Sequence, residues 1–144
     1  MQLSEIGVIV QQEILDIEKR FNGVSITDYV VMPNHIHIVV WIKNKLNSWK
    51  AQNDNSSRQG QSPCLTGKVS QINTRALTLG DIIGSFKSIS TKRVNALHNT
   101  PGRKIWHFRF HDRIIRNENE YELVSKYIYE NPLKWDKDKY YNEV

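Results

Sequence analysis

His35 and His37 sit two residues apart in the run Met32-Pro33-Asn34-His35-Ile36-His37-Ile38-Val39-Val40-Trp41-Ile42. Read as a turn leading into a strand, the run puts both imidazoles on one face, because side chains alternate along an extended chain. Ile36, Ile38, Val40 and Ile42 line the opposite face, where a core would cover them. Two imidazoles on one rigid face can share a single divalent ion. A second pair lies near the C-terminus. Tyr127 and Asn131 are four residues apart, about 40° from one another around a helix that turns about 100° per residue. On the residues alone, Tyr127 also fits an ordinary half-buried tyrosine and Asn131 a helix cap. The two His equally fit the polar side of a half-buried strand.

The four residues together suggest one chemistry. A tyrosine attacks a phosphodiester only if the phosphate charge is neutralised and the transition state stabilised. A divalent ion held by His35, His37 and the amide oxygen of Asn131 would do this as a Lewis acid. The product, a phosphotyrosine ester, keeps the energy of the broken bond, so strands can be exchanged without ATP.

The chain that must position these groups has 144 residues, 39% hydrophobic and 24% charged, which suits a single domain (1–144) with one sizeable core. No apolar run approaches the roughly 20 residues of a membrane span, and the N-terminus has no signal-peptide pattern. A lone cysteine, Cys64, rules out an internal disulfide and a cysteine metal cluster, and points to the cytoplasm. The net charge of +5 is concentrated in the middle of the sequence. Lys87, Lys92, Arg93, Arg103, Lys104, Arg109, Arg113 and Arg116 face the lone acid Asp112 there, with Trp106, Phe108 and Phe110 interleaved. Phosphate backbones and unstacked bases are attracted by that mixture, so these eight cations are the candidate DNA-binding residues.

Periodicity predicts the elements. An amphipathic helix is expected over residues 4–21, with Ser4 as N-cap and Asn22-Gly23 as its end. Val24–Val31 and His35–Ile42 are expected to pair as a hairpin across Pro33-Asn34. From 43 to 76 periodicity gives way to Asn, Ser, Gln, Lys and Gly, the composition of a flexible insertion whose start Trp49 could anchor. Thr78 opens a second helix with Leu79, Ile82, Ile83, Phe86, Val94 and Leu97 as its buried stripe, broken at Asn99-Thr100-Pro101-Gly102. Alternation over Lys104–Ile115 predicts a third strand. Asn117 caps a last helix that runs to about Asn131, where Pro132 ends it.

Four segments carry a resemblance: Leu3-Ser4-Glu5-Ile6-Gly7, Tyr29-Val30-Val31-Met32-Pro33-Asn34-His35-Ile36-His37, Ile114-Ile115-Arg116-Asn117-Glu118, and Tyr127-Ile128-Tyr129-Glu130-Asn131-Pro132-Leu133-Lys134-Trp135. Together they resemble the REP-associated tyrosine transposases, a branch of the single-tyrosine HUH transposases of insertion sequences. The resemblance covers nearly all of the chain outside 43–76. It implies a metal-dependent enzyme that nicks and rejoins single-stranded DNA in DNA transposition and recombination, or at palindromic repeats. His35 and His37 match the HUH metal ligands and Tyr127 the nucleophile. Asn131 matches the polar residue that completes the metal site. The implied metal is magnesium or manganese, and the implied substrate is single-stranded DNA, often with a hairpin beside the cut. Tyr127 would become linked to the 5′-phosphate, leaving a free 3′-OH. When bound to DNA the protein would be associated with the nucleoid.

The implied fold is α+β: a two-layer α/β sandwich with a central antiparallel sheet, the ferredoxin-like HUH endonuclease fold. Two features differ from that pattern. The chain starts at the Leu-Ser-Glu-Ile-Gly helix, so the usual first strand is expected to be lacking or replaced by a partner's, and a homodimer follows as an expectation. Asp112-Arg113 also stands where relatives tend to have Asp-His. The rival expectation is a catalytically inactive, domesticated or truncated hairpin-DNA-binding remnant of such a transposase.

Overall fold

A computed structural model describes residues 2–43 and 76–137. The insertion expected at 43–76, apart from its two end residues, lies outside the described residues, as do Trp49 and residues 138–144.

Helix α1 (Glu5–Leu15) begins where expected, with the Ser4 hydroxyl accepting from the Gly7 N–H at 3.2 Å. It does not continue to residue 21. The α-helix stops at Asp16, and a single turn, α2 (Ile17–Arg20), follows. The Asp16 carboxylate accepts from the Lys19 ammonium at 2.7 Å and the Gln12 amide at 3.3 Å. Such short side-chain bonds compete with the helical course, as aspartate does inside helices. Ile17, just past the break, is fully buried.

Strands β1 (Val24–Val31) and β2 (Ile36–Ile42) form an antiparallel hairpin, closed by the Met32 N–H donating to the His35 carbonyl at 2.9 Å. The register breaks once, between Ile26 and Asp28. One extra residue there reverses the parity of β1. Val24 and Ile26 before the bulge, and Tyr29 and Val31 after it, therefore all pack toward the core with Ile36, Ile38, Val40 and Ile42. Asp28 is left facing the other side, in register with Val39 and two residues from Val30, the partner of His37.

Helix α3 (Leu79–His98) starts with a capping box: the Thr78 hydroxyl accepts from the Asp81 N–H and the Asp81 carboxylate from the Thr78 N–H. Its buried residues Ile82 and Phe86 join Val10, Ile14, Ile17 and Val24 in the core on one face of the hairpin. Asn99, with φ 52°, ends it in the left-handed conformation.

Residues 104–115 form no strand, contrary to the expectation from their alternation. Trp106 turns inward, its ring 5.2 Å from that of Phe86 and its Nε1 donating to the Ser90 hydroxyl at 2.8 Å. Phe108 is 98% exposed. The carbonyls of His107, Phe108 and Arg109 converge on the ammonium of Lys87, at 2.8, 3.5 and 3.2 Å. One lysine thus takes the backbone acceptors that a neighbouring strand would have used, and burial holds its pKa below the ordinary lysine value. Among the described residues the sheet has two strands.

Helix α4 (Glu118–Glu130), N-capped by Asn117, packs on β1. Pro132 does end the α-helix, but the chain continues as a 3-10 helix over Asn131–Lys137. The result is a mixed α+β fold.

Glu13 ties the helices of the core face together. It is 2% exposed and forms ion pairs with Arg20 and Arg93. Burial raises its pKa, and the two guanidinium groups outweigh that and hold it below 4.5. A depressed value means stability that is present above pH 4.5 and is lost as the pH falls through the folded-state value. Glu13→Ala leaves two arginines without their partner and is expected to cost about 3 kcal/mol, the lower end for a broken buried pair because Arg93 remains partly in water. Urea unfolding at pH 7 measures this.

Candidate metal and tyrosine site

The turn and the strand behind it fix the two His. Asn34 Oδ1 lies 2.8 Å from Nδ1 of His35. An amide oxygen accepts, so this contact fits the tautomer with the proton on Nδ1 and the lone pair on Nε2. Nε2 of His35 lies 3.1 Å from Nε2 of His37, and the rings meet edge to face with centroids 4.8 Å apart. Two imidazole nitrogens this close can both serve one divalent ion, magnesium or manganese.

α4 brings its groups to the same place from the far end of the chain. The Tyr127 ring packs edge to face against His37, with centroids 5.2 Å apart. Trp135, eight residues further, lies 6.0 Å from the His35 ring. Asn131, between them in the sequence, is 4% exposed. Its Nδ2 is buried without a hydrogen-bond partner among the described residues. A buried orphan amide costs about 1–3 kcal/mol, and turning the amide to present Oδ1 would give it the acceptor role a metal ligand needs. The donor set of two imidazoles and one amide therefore fits a divalent ion. No cluster of three His, Cys, Asp or Glu side chains occurs among the described residues.

Asp28, freed by the bulge, sets the height of α4. It accepts from the Tyr121 hydroxyl at 2.7 Å and the Ser125 hydroxyl at 2.5 Å. Burial raises its pKa, but bonds from Ser125, Tyr121 and Thr27 outweigh that and hold it below the ordinary aspartate value. Asp28→Ala leaves both hydroxyls without this acceptor, with an expected loss of about 1–3 kcal/mol in a thermal or urea melt.

These contacts separate the three tyrosines of α4. The Tyr121 hydroxyl is committed to Asp28, and Tyr129 is 81% exposed. Tyr127, 51% exposed, is at once beside His37 and open to a substrate.

The eight basic candidates do not form one free surface. Lys87 is bound to backbone carbonyls, Arg93 to Glu13 and Arg113 to Glu120. Lys92, Arg103, Lys104, Arg109 and Arg116 are exposed. Sequence reading gives Trp135 no role, although its spacing of four and eight from Asn131 and Tyr127 was a usable signal. Asp28 was signalled by the parity break in β1, where apolar residues switch from even to odd numbers.

No family model matches the chain, and no solved structure matches it. A Haemophilus influenzae protein described as an uncharacterized protein is 31% identical over 141 residues, which cover 98% of this chain and 72% of that one. Similarity of that extent means that the chain belongs to the same family as this Haemophilus influenzae protein.

Proposed function

We propose that the protein is a tyrosine transposase of the HUH type, which nicks and rejoins single-stranded DNA through a 5′-phosphotyrosine link at Tyr127. The observation that carries this reading is the meeting of His35 and His37 from the hairpin with Tyr127 from α4, one helical turn before the buried, unpartnered amide of Asn131. Those residue types serve phosphoryl transfer to a tyrosine. Asp112 and Arg113, which stand at the Asp-His position of the resemblance, are exposed, and Arg113 is paired with Glu120.

His35, His37 and Asn131 would hold the ion, with Asn34 fixing the tautomer of His35. Once bound, a divalent ion supplies the positive charge that a phosphodiester needs to accept a nucleophile. The Tyr127 oxygen forms the new bond to phosphorus and the P–O3′ bond breaks. The tyrosine proton passes to solvent, and the departing 3′ oxygen takes one up. Rejoining is the same exchange run backwards, with a 3′-OH as nucleophile. The sandwich of the ferredoxin-like HUH endonuclease fold belongs to the same reading.

The test is a labelled oligonucleotide carrying a hairpin, incubated with the protein and magnesium or manganese. A cut strand with protein attached to its 5′ end supports the reading. Binding without any cut would leave only the DNA-binding remnant.

The proposal extends to a homodimer. Both strands of the hairpin are edges among the described residues. On β1 the Ile26 N–H is already taken by Glu18 at 2.5 Å, so β2 offers the more open edge for a second copy. Light scattering at low micromolar concentration is expected to give twice the chain mass. A clean monomer of 16.9 kDa would contradict it. Mixing Tyr127→Phe with His35→Ala protein then tells whether the site is shared, because nicking returns only if one copy's tyrosine serves the other's histidines.

A further inference from the structure

A groove of about 470 Å³ runs between α3 and the segment after it, away from the His pair. Lys92, Arg103, Lys104 and Phe108 line it. The three cations are exposed and have no ion-pair partner among the described residues, unlike Arg93 and Arg113, and Lys87 is taken up by backbone carbonyls. Phe108 presents almost its whole ring to water. A large apolar ring left in water costs hydrophobic free energy unless something covers it. Its backbone is held in place nonetheless, because the Lys87 ammonium grips the carbonyls on either side. Cations around an uncovered aromatic ring on an anchored backbone match a chain that alternates phosphates with flat bases.

A second groove, of about 400 Å³, reaches Asn34 and His35. The two grooves share Ile105 and Trp106 as a common wall. We infer that the α3 groove binds single-stranded DNA, one base stacked on Phe108 and its phosphates on Lys92, Arg103 and Lys104, and that the strand continues over Ile105 and Trp106 to His35. This rests on the proposed nicking reading only for where the strand leads. The binding itself does not depend on it.

The probe is a fluorescent 20-residue oligothymidylate, titrated with the full chain in EDTA so that no chemistry occurs. Phe108→Ala is expected to weaken binding about tenfold, the loss of one stacked base. Lys92→Ala, Arg103→Ala and Lys104→Ala should each lower the slope of log affinity against log salt by about 0.7, one phosphate apiece. A duplex of equal length should bind without sensitivity to Phe108→Ala, because its bases are already stacked. All four side chains are exposed, and circular dichroism checks that each variant keeps its fold. Wild-type affinity in Phe108→Ala, an unchanged salt slope in the cation variants, or tighter binding of oligouridylate would overturn the inference. If the variants lose binding but no strand is ever cut, the groove stands and the nicking reading fails. If strands are cut and the variants cut them with unchanged KM, the groove fails alone.

Discussion

Tyr127→Phe is expected to abolish the covalent protein–DNA adduct, leaving no trace above background, while the protein keeps its fold and its affinity for DNA. The substitution removes one hydroxyl from a side chain that is half in water, and no hydrogen bond of that hydroxyl stabilises the fold among the described residues. The ring remains to pack against His37, so the change falls on chemistry. A phenylalanine cannot form an ester to phosphorus, so the loss is complete, whereas a residue that only assists would leave partial activity. Tyr121→Phe gives the contrast. Its hydroxyl is bonded to Asp28, so it should cost about 1 kcal/mol of stability and retain the adduct.

The second large effect belongs to the His pair. His35→Ala and His37→Ala are each expected to slow nicking by at least about a thousandfold, near 4 kcal/mol of transition-state stabilisation at about 1.4 kcal/mol per decade. With one imidazole gone, the remaining nitrogen and a single amide are a poor site for a hard cation. Excess EDTA added to the wild type should reproduce the loss, and added manganese should restore it. DNA binding should persist in both variants, since the proposed phosphate contacts elsewhere would carry most of the affinity. Asn34→Ala separates ligand from support. It leaves both imidazoles in place but frees the tautomer of His35, for an expected drop of about 10- to 100-fold.

What the sequence made legible follows from how local the physics is. Ser4 and Asn117 are read as caps and act as caps, and Thr78, read as the start of its helix, caps it, because a cap is settled within three or four residues. The hairpin and the shared face of His35 and His37 follow from alternation and one Pro-Asn turn. The spacing of Tyr127 and Asn131 puts them one turn apart, and the structure sets Tyr127 against His37 and buries Asn131. Some of the failures are non-local and some are local. Alternation over 104–115 looks like a strand, but its carbonyls are claimed by Lys87, about 20 residues away. Reading Pro132 as the end of helical structure hid Trp135, which the 3-10 turn returns to His35. Asp16 breaks a helix that its apolar spacing would have continued to Phe21. Whether Arg93 meets DNA or a buried carboxylate depends on Glu13, 80 residues earlier.

The central claim is that Tyr127 makes the bond to DNA. Peptide mass spectrometry of the wild-type protein, trapped on a hairpin oligonucleotide with magnesium or manganese and then digested with nuclease and protease, tests it most directly. The expected spectrum shows a nucleotide phosphate ester on the peptide that contains Tyr127, with fragment ions assigning it to that side chain. The mass should instead be absent when EDTA replaces the metal. An ester on Tyr121 or Tyr129, or a cut strand whose 5′ end carries no protein, would contradict the claim.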